Sequence, residues 1–406
     1  DQVSQNFAPG LLDRIVPRAL DFGRGDTLHF QEWETTRARL FASWLYANVA
    51  LELEPSPRGE RFNAIIRTSA RTNTRNDILF DLVRGAFVET TYLDLWNIRR
   101  SGLSWRSAYR WDKDRRQLRG QISIPLPLPG LPVVELRDVW RAERWNLERS
   151  LGGPGPEALF DYRANALSVR FEATPDYRIQ LHGGLEHRNR DVTGSIGIPG
   201  MDERNSATFD VGTILRPIDR RYRSQVRLDG FVARKSLLGD FDFSGGTVGL
   251  VNRFEIQPSS LTYLDVSLTG GTVRGVIPVD HYFILGLGGL TPFQLRAHVA
   301  DDAGRYGRAP MGTDFVLLNT DIERRVATVP LFNTLGIPYL HVKLTAFFDA
   351  GRTFDRQHVF RQNTWYKDTG AGLRLETPTD AFTILYGRDL AGHENTLYAY
   401  VEQNLW

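Results

Sequence analysis

The sequence predicts an all-β transmembrane barrel of about sixteen antiparallel strands behind a partial α+β unit. Three observations predict it. About sixteen segments of roughly ten residues alternate apolar with polar side chains, the period of a strand with two unlike faces. The polar face carries Arg, Glu, Asp and Lys in one segment after another and the apolar face is rich in Trp and Tyr near strand ends, which fits a polar lumen and aromatic girdles rather than a soluble sandwich or propeller. No run of about 18 apolar residues occurs, which excludes an ordinary membrane helix and leaves the closed barrel as the structure able to cross a bilayer.

Length and composition agree. Barrels run well past about 200 residues as one unit, so 406 residues permit a single one. The formal charge of +2 gives no reason to expect a nucleic-acid partner. With no cysteine, disulfides, thiol catalysis and thiolate metal sites are excluded.

Taken in order, residues from about Gly25 to Arg71 read differently from the rest. Between Phe30 and Tyr46, Trp33, Leu40, Phe41 and Trp44 recur at helical spacing with Glu32, Glu34, Arg37 and Arg39 between them, an amphipathic helix. Val49, Leu51 and Leu53, then Phe62, Ala64 and Ile66, alternate on either side of Pro55-Ser56-Pro57-Arg58-Gly59, a hairpin. From about Asp77 the barrel pattern begins. Its segments start near residues 78, 86, 102, 116, 132, 158, 176, 205, 222, 243, 261, 313, 338, 364, 381 and 395. In one of them Leu103, Trp105, Tyr109 and Trp111 oppose Ser104, Arg106, Arg110 and Asp112. In another, Leu340, Val342, Leu344, Ala346 and Phe348 oppose His341, Lys343, Thr345, Phe347 and Asp349. Long connections at 146–157, 189–205, 275–312 and 352–363 read as outer loops. Short ones such as Thr174-Pro175-Asp176 read as periplasmic turns. Val326 to Ile337 is longer than a turn on that side requires, and the pattern alone does not explain it. The last segment, Thr396 to Trp406, is expected to lie beside the first, so that closure leaves no edge.

Three local patterns resemble the BamA/TamA superfamily of outer-membrane assembly and translocation barrels. Gly25-Asp26-Thr27-Leu28, the helix and Trp44-Leu45-Tyr46-Ala47-Asn48-Val49 look like the later half of a POTRA domain entering a barrel. The resemblance implies a partial POTRA-like periplasmic domain over residues 1–74, a barrel over 75–406, and further periplasmic sequence before Asp1. Phe347-Phe348-Asp349-Ala350-Gly351 carries F-x-D-x-G intact, with Phe347, Asp349 and Gly351 on the lumenal face. In the longest outer loop, Phe283, Gly288-Gly289 and Leu295-Arg296-Ala297-His298 resemble the double glycine followed by V-R-G-F/Y, with Ala297 in place of Gly and His298 in place of the aromatic. The family folds this loop into the barrel, so the resemblance implies a lumenal contact between Arg296 and Asp349. Val273-Arg274-Gly275-Val276 matches V-R-G by letter but precedes the double glycine, leaving Arg274 as the alternative to Arg296. Asn319, Asp321, Glu323 and Arg325 share a face, and Asp321-x-Glu323-x-Arg325 resembles N-x-E-x-R, a supporting lumenal set. Trp406 stands where such barrels end in an aromatic assembly signal, usually Phe.

No catalytic constellation stands out. His182 and His187, five apart on a strand, point to opposite faces, and the other histidines are isolated, so no metal site is expected. Nucleophile-elbow, phosphate-loop and zinc-helix motifs are absent from the sequence. The expected function is therefore non-enzymatic and cofactor-free: assembly or translocation of polypeptides at the bacterial outer membrane. Its expected partners are outer-membrane lipids and unfolded client polypeptides or envelope subunits. A barrel of the same fold that anchors a larger envelope complex is the alternative.

Overall fold

The alternating segments assemble into one closed sheet in the computed structural model of the chain. The structure describes residues 12–403 apart from 24, 56–61, 84, 87–88, 152–158, 195–203, 218–221, 238, 287–292, 299–300, 303–304, 307–308, 335–336, 361–363, 378–379 and 393–394. The expectations for Gly288, Gly289 and Trp406 fall outside the described residues.

An α+β unit comes first, with helices α1 (Leu12–Ala19) and α2 (Phe30–Ala42) and the antiparallel pair β1 (Tyr46–Pro55) and β2 (Phe62–Ala70). Helix α2 opens on a local cap, the His29 backbone N–H donating to the Glu32 carboxylate at 3.0 Å. It ends four residues earlier than the helical spacing suggests, because Trp44 takes a left-handed backbone (φ 62) that turns the chain into β1. Trp33 and Leu40 of α2 bury against Ile15, Val16 and Ala19 of α1 and against Leu45, Tyr46 and Val49.

The barrel strands follow: β3 (Thr90–Leu95), β4 (Ser104–Asp112), β5 (Arg115–Pro125), β6 (Val133–Asn146), β7 (Leu159–Asp176), β8 (Ile179–Thr193), β9 (Asn205–Leu215), β10 (Tyr222–Ala233), β11 (Phe243–Gln257) and β12 (Thr262–Gly275). A long loop then carries four two-residue strands, β13 (Phe283–Ile284), β14 (Asp301–Asp302), β15 (Arg305–Tyr306) and β16 (Met311–Gly312). Five more strands complete the wall: β17 (Asp314–Thr334), β18 (Ile337–Phe354), β19 (Tyr366–Glu376), β20 (Asp380–Asp389) and β21 (Asn395–Gln403). Leu167, Leu185 and Phe209 face outward, exposed, while Arg106, Glu135, Arg141 and Glu143 are buried inside. This inversion of a soluble protein is what a lipid-facing wall requires.

Among the described residues fifteen long strands form the wall, one fewer than the sequence pattern counts. The segment expected to begin a strand near residue 78 is instead helix α3 (Arg75–Val83). Its start explains why. The Thr74 N–H donates to the Asp77 carboxylate at 2.7 Å and the Asp77 N–H donates to Thr74 Oγ1 at 3.2 Å, a reciprocal cap that satisfies the first free donors of a helix. Helix α3 still lies along β3: Asp94 N–H donates to the buried Asp81 at 3.2 Å, and the Thr91 hydroxyl donates to the Leu82 carbonyl at 2.8 Å. It packs on β3 without joining the wall, in which β21 is the neighbour of β3. Every consecutive pair of long strands is antiparallel, with β12 pairing β17 across the long loop. With an odd number of strands, β3 and its closing neighbour β21 therefore run in the same direction.

The two ends of the barrel differ. At the end with short turns, the α+β unit is seated on the wall. Arg39, buried, donates to the carbonyls of Thr174 at 2.9 Å and Pro175 at 2.6 Å, and Gly130 N–H donates to the Arg18 carbonyl at 3.0 Å. Leu131 from the β5–β6 turn joins the unit's apolar core. At the same end β17 and β18 outrun their neighbours: β12 stops where Thr262 meets Arg324, and β19 stops where Glu376 meets His341. The over-long turn of the sequence reading is thus a continued two-stranded tongue, uncharged from Val326 to Leu340. At the opposite end the long loop closes over the mouth. Phe283, Leu285 and Met311 pack there with Trp145, Phe160, Phe243 and Phe315 of the wall.

Candidate functional site

The loop between β12 and β17 turns inward because buried charge holds its base and its tip. At the base, Asp280 is fully buried and accepts from Arg190 Nε at 2.8 Å, from Arg188 and from the Tyr162 hydroxyl at 2.8 Å. Arg188 and Arg190 face the lumen because on β8 they alternate with the exposed Leu185 and His187. Burial opposes charge on Asp280, but Arg190 and Arg188 outweigh it and hold the carboxyl well below the usual carboxylate range. The hairpin β14–β15 then crosses the mouth. It pairs in parallel with Arg144 and Trp145 of β6, one residue past the point where β5 stops at Glu143.

The tip carries the densest contacts. Arg296 donates its backbone N–H to Asp349 Oδ2 at 3.0 Å, its Nε to Oδ2 at 2.9 Å and its Nη2 to Oδ1 at 2.6 Å. Its Nη1 reaches Asp321. The bidentate fork fixes the angle of the guanidinium as well as its position. Phe347 lies beneath it, ring centroid 4.0 Å from Cζ, adding a cation–π contact. Asn319 donates to Asp349 Oδ1 at 2.8 Å and to the Gln294 carbonyl at 2.8 Å, tying loop to wall a second time.

Glycines make the close approach possible. A Cβ on Gly387 would come within 2.8 Å of the Arg296 carbonyl oxygen, and one on Gly351 within 3.3 Å of Leu317, Leu295 and Leu285. Beyond Arg296, Ala297 N–H donates to Asp368 Oδ2 at 2.7 Å, and its carbonyl accepts from the Thr396 hydroxyl of β21 at 2.8 Å. His298 sits buried between Asp368 and Asp389, its ring edge-on to Tyr366. The tip is thereby bonded to β17, β18, β19 and β21 and lies against Gly387 of β20. A polar cavity of about 250 Å³ adjoins it, lined in part by Arg253, Asp265, Arg374 and Tyr400.

The structure brings Arg296, Asp349, Phe347, Gly351, Asp321 and Leu295 together. Arg274 is exposed at the end of β12, opposite Ser244, and takes no part. Glu323 and Arg325, expected as supporting neighbours of the tip, are engaged elsewhere. Glu323 pairs with Lys343 at 3.0 Å, and Arg325 meets the His341 ring at 3.2 Å. Both sit closer to the turn end, several residues along β17 from the level of Asp349, whose partner there is Asn319. Sequence reading missed Asp280, Arg188, Arg190, Asp368 and Asp389. None of these lies in a motif, and the contacts that bring them to the loop form only when the loop folds against strands distant in sequence.

A closed barrel whose longest loop is folded inward and pinned by an Arg–Asp fork is a recognisable class of architecture. No protein-family model matches the sequence, and no curated protein does. Solved structures share the fold over nearly the whole chain. BamA from Haemophilus ducreyi lacking POTRA domains 1–3 is 10% identical, covering 96% of this chain and 81% of its own, with a TM-score of 0.57. CdiB from Escherichia coli is 12% identical, covering 96% and 74%, with a TM-score of 0.65. CdiB from Acinetobacter baumannii is 12% identical, covering 98% and 72%, with a TM-score of 0.63. The chain thus has the fold of the BamA and CdiB barrels.

Proposed function

We propose that this chain is a non-enzymatic barrel of the bacterial outer membrane that assembles or translocates polypeptides, with the turn end facing the periplasm. The observation that carries the reading is the loop tip pinned by Arg296 to Asp349 within a barrel of BamA and CdiB fold. A passive pore has no use for a loop that fills its own mouth. A plugged lumen whose tip contacts the last strands of the wall suits a barrel that handles polypeptide under control. The α+β unit over residues 1–74 serves as the later part of a POTRA domain, presenting strand edges to unfolded clients by β-augmentation. Residues 75–406 supply the membrane part.

A second reading has its own support. The uncharged tongue from Val326 to Leu340 extends past both neighbouring strands and offers a fixed partner an apolar handle, as an anchor for an envelope complex would. Purification of the native protein from outer membranes, with mass spectrometry of what accompanies it, separates the two. Periplasmic chaperones and nascent barrels or exported chains are the expected companions. One stoichiometric set of folded envelope subunits, without unfolded polypeptide, overturns the assembly reading in favour of the anchor.

A further inference from the structure

The outward face of the wall, which the lumenal site does not use, carries unbalanced charge near its loop end. Arg352 on β18 lies between the buried Gly351 and Thr353, Lys367 on β19 precedes the buried Asp368, and Arg388 on β20 lies between the buried Gly387 and Asp389. By alternation all three point away from the lumen. Register sets them side by side. Lys367 stands opposite Ala350, and Thr369 opposite Arg388, so Lys367 is a diagonal neighbour of both arginines, about 7–8 Å from each between Cα atoms. Each lies within three residues of the loop end of its strand. Toward the middle of the wall the outward positions turn apolar, with Phe348 on β18, Ala371 on β19 and Ile384 and Tyr386 on β20. Cations on a lipid-facing wall are costly at the midplane and nearly free of cost at the interface, which is where this row would lie.

Other outward arginines at the loop end are matched by carboxylates. Arg144 on β6 donates to Asp114 at 3.2 Å and to Asp161 at 3.1 Å, and Arg356 beyond β18 donates to both oxygens of Asp314. Arg163 on β7 stands opposite Asp191 of β8. On β18 to β20 the carboxylates are on the other side of the sheet. Asp349, Asp368 and Asp389 face the lumen and pair with Arg296 or His298. No Asp or Glu occupies an outward position in the loop-end half of these three strands. Among the described residues neither Lys367 nor Arg388 has an ion-pair partner, and Arg352 lies over the Phe354 ring, 4.4 Å from its centroid. A net positive row bordering an apolar, lipid-facing surface is complementary to an anionic headgroup whose acyl chains lie along the wall.

We propose that Arg352, Lys367 and Arg388 bind the phosphates of a bisphosphorylated lipid, the headgroup class of lipid A, with its acyl chains against Phe348, Ile384 and Tyr386. Arginine offers phosphate a fork of donors and lysine a point charge, and three cations at successive diagonal steps suit two phosphates on one headgroup better than the single phosphate of a glycerophospholipid. The inference rests on the proposed outer-membrane placement, in which the loop end lies in the outer leaflet. It adds to that reading a lipid held beside the strands that carry the loop tip.

The test titrates the full chain, refolded in nonionic detergent without divalent cations, with diphosphoryl lipid A and separately with phosphatidylglycerol. Bound lipid is counted by native mass spectrometry, and heat-modifiable gel migration reports the barrel in every sample. One lipid A per barrel is expected, held at least about tenfold more tightly than phosphatidylglycerol because a second phosphate meets the row. Lys367→Gln combined with Arg388→Gln should weaken lipid A binding about twentyfold, each cation beside an anionic headgroup contributing roughly fivefold. Arg163→Gln, an outward arginine of β7, should leave it unchanged. Equal lipid A binding by the double variant, or phosphatidylglycerol bound as tightly as lipid A, overturns the proposal. A folded barrel that takes up no lipid A overturns it too and leaves the outer-membrane reading standing, whereas a chain that forms no barrel in detergent overturns both.

Discussion

Asp349 accepts three hydrogen bonds from Arg296 and a fourth from Asn319 while excluded from solvent. A charge so placed depends on its partner, and removing one member of a buried pair typically costs about 3–5 kcal/mol. Arg296→Ala and Asp349→Ala should each lower stability in urea unfolding by about that amount, and the double variant should be little worse than either. Strictly additive losses would show that the two side chains act separately. This part of the site was legible in the sequence because its residues fall in compact motifs. Phe347, Asp349 and Gly351 alternate on one strand, and Arg296 follows the double glycine. Asp280 with Arg188, and His298 with Asp389, were not legible. Each pair joins segments about 90 residues apart whose side chains are unremarkable until the wall curves.

At the level of elements, two-residue alternation located all fourteen wall strands after β3 to within about three residues of their starts, since an apolar face toward lipid and a charged face toward the lumen leave no other register. The failure at Arg75–Val83 came from a local competitor. Ile78, Phe80 and Leu82 alternate as a strand would, but Thr74 and Asp77 cap a helix before any neighbour can pair. The tongue was unreadable for a different reason, because a strand without lateral neighbours leaves the same alternation as a turn sequence rich in small apolar residues. Its structure makes a clear prediction. Replacing residues 327–340 with a short turn removes only the pairing of β17 with β18, so the barrel should keep its heat-modifiable migration and its melting temperature within about 2 °C, as expected for a change under about 0.5 kcal/mol. A large loss would mean that the tongue is part of the wall's own stability.

Across the whole molecule, the mouth at the loop end is filled by an apolar core and crossed by the β14–β15 hairpin. The turn end carries a seated α+β unit. The described residues therefore leave ions no wide aqueous path, and the chain in a planar bilayer should conduct far less than a porin of similar strand number. Excision of residues 276–312 should raise conductance several-fold; porin-like currents from the intact chain would contradict the plugged lumen.

The parity of the wall also has a consequence in time. Most antiparallel steps join strands separated by a few residues, and even β12 and β17 are bridged within one loop. The last step brings together β3 and β21, roughly 300 residues apart, so no short turn guides it and it waits on every intervening strand being paired. It joins two strands that run the same way, the weaker geometry of pairing. During biogenesis the ring should therefore spend most of its time as an open, curved sheet, becoming a cylinder only in its slowest event.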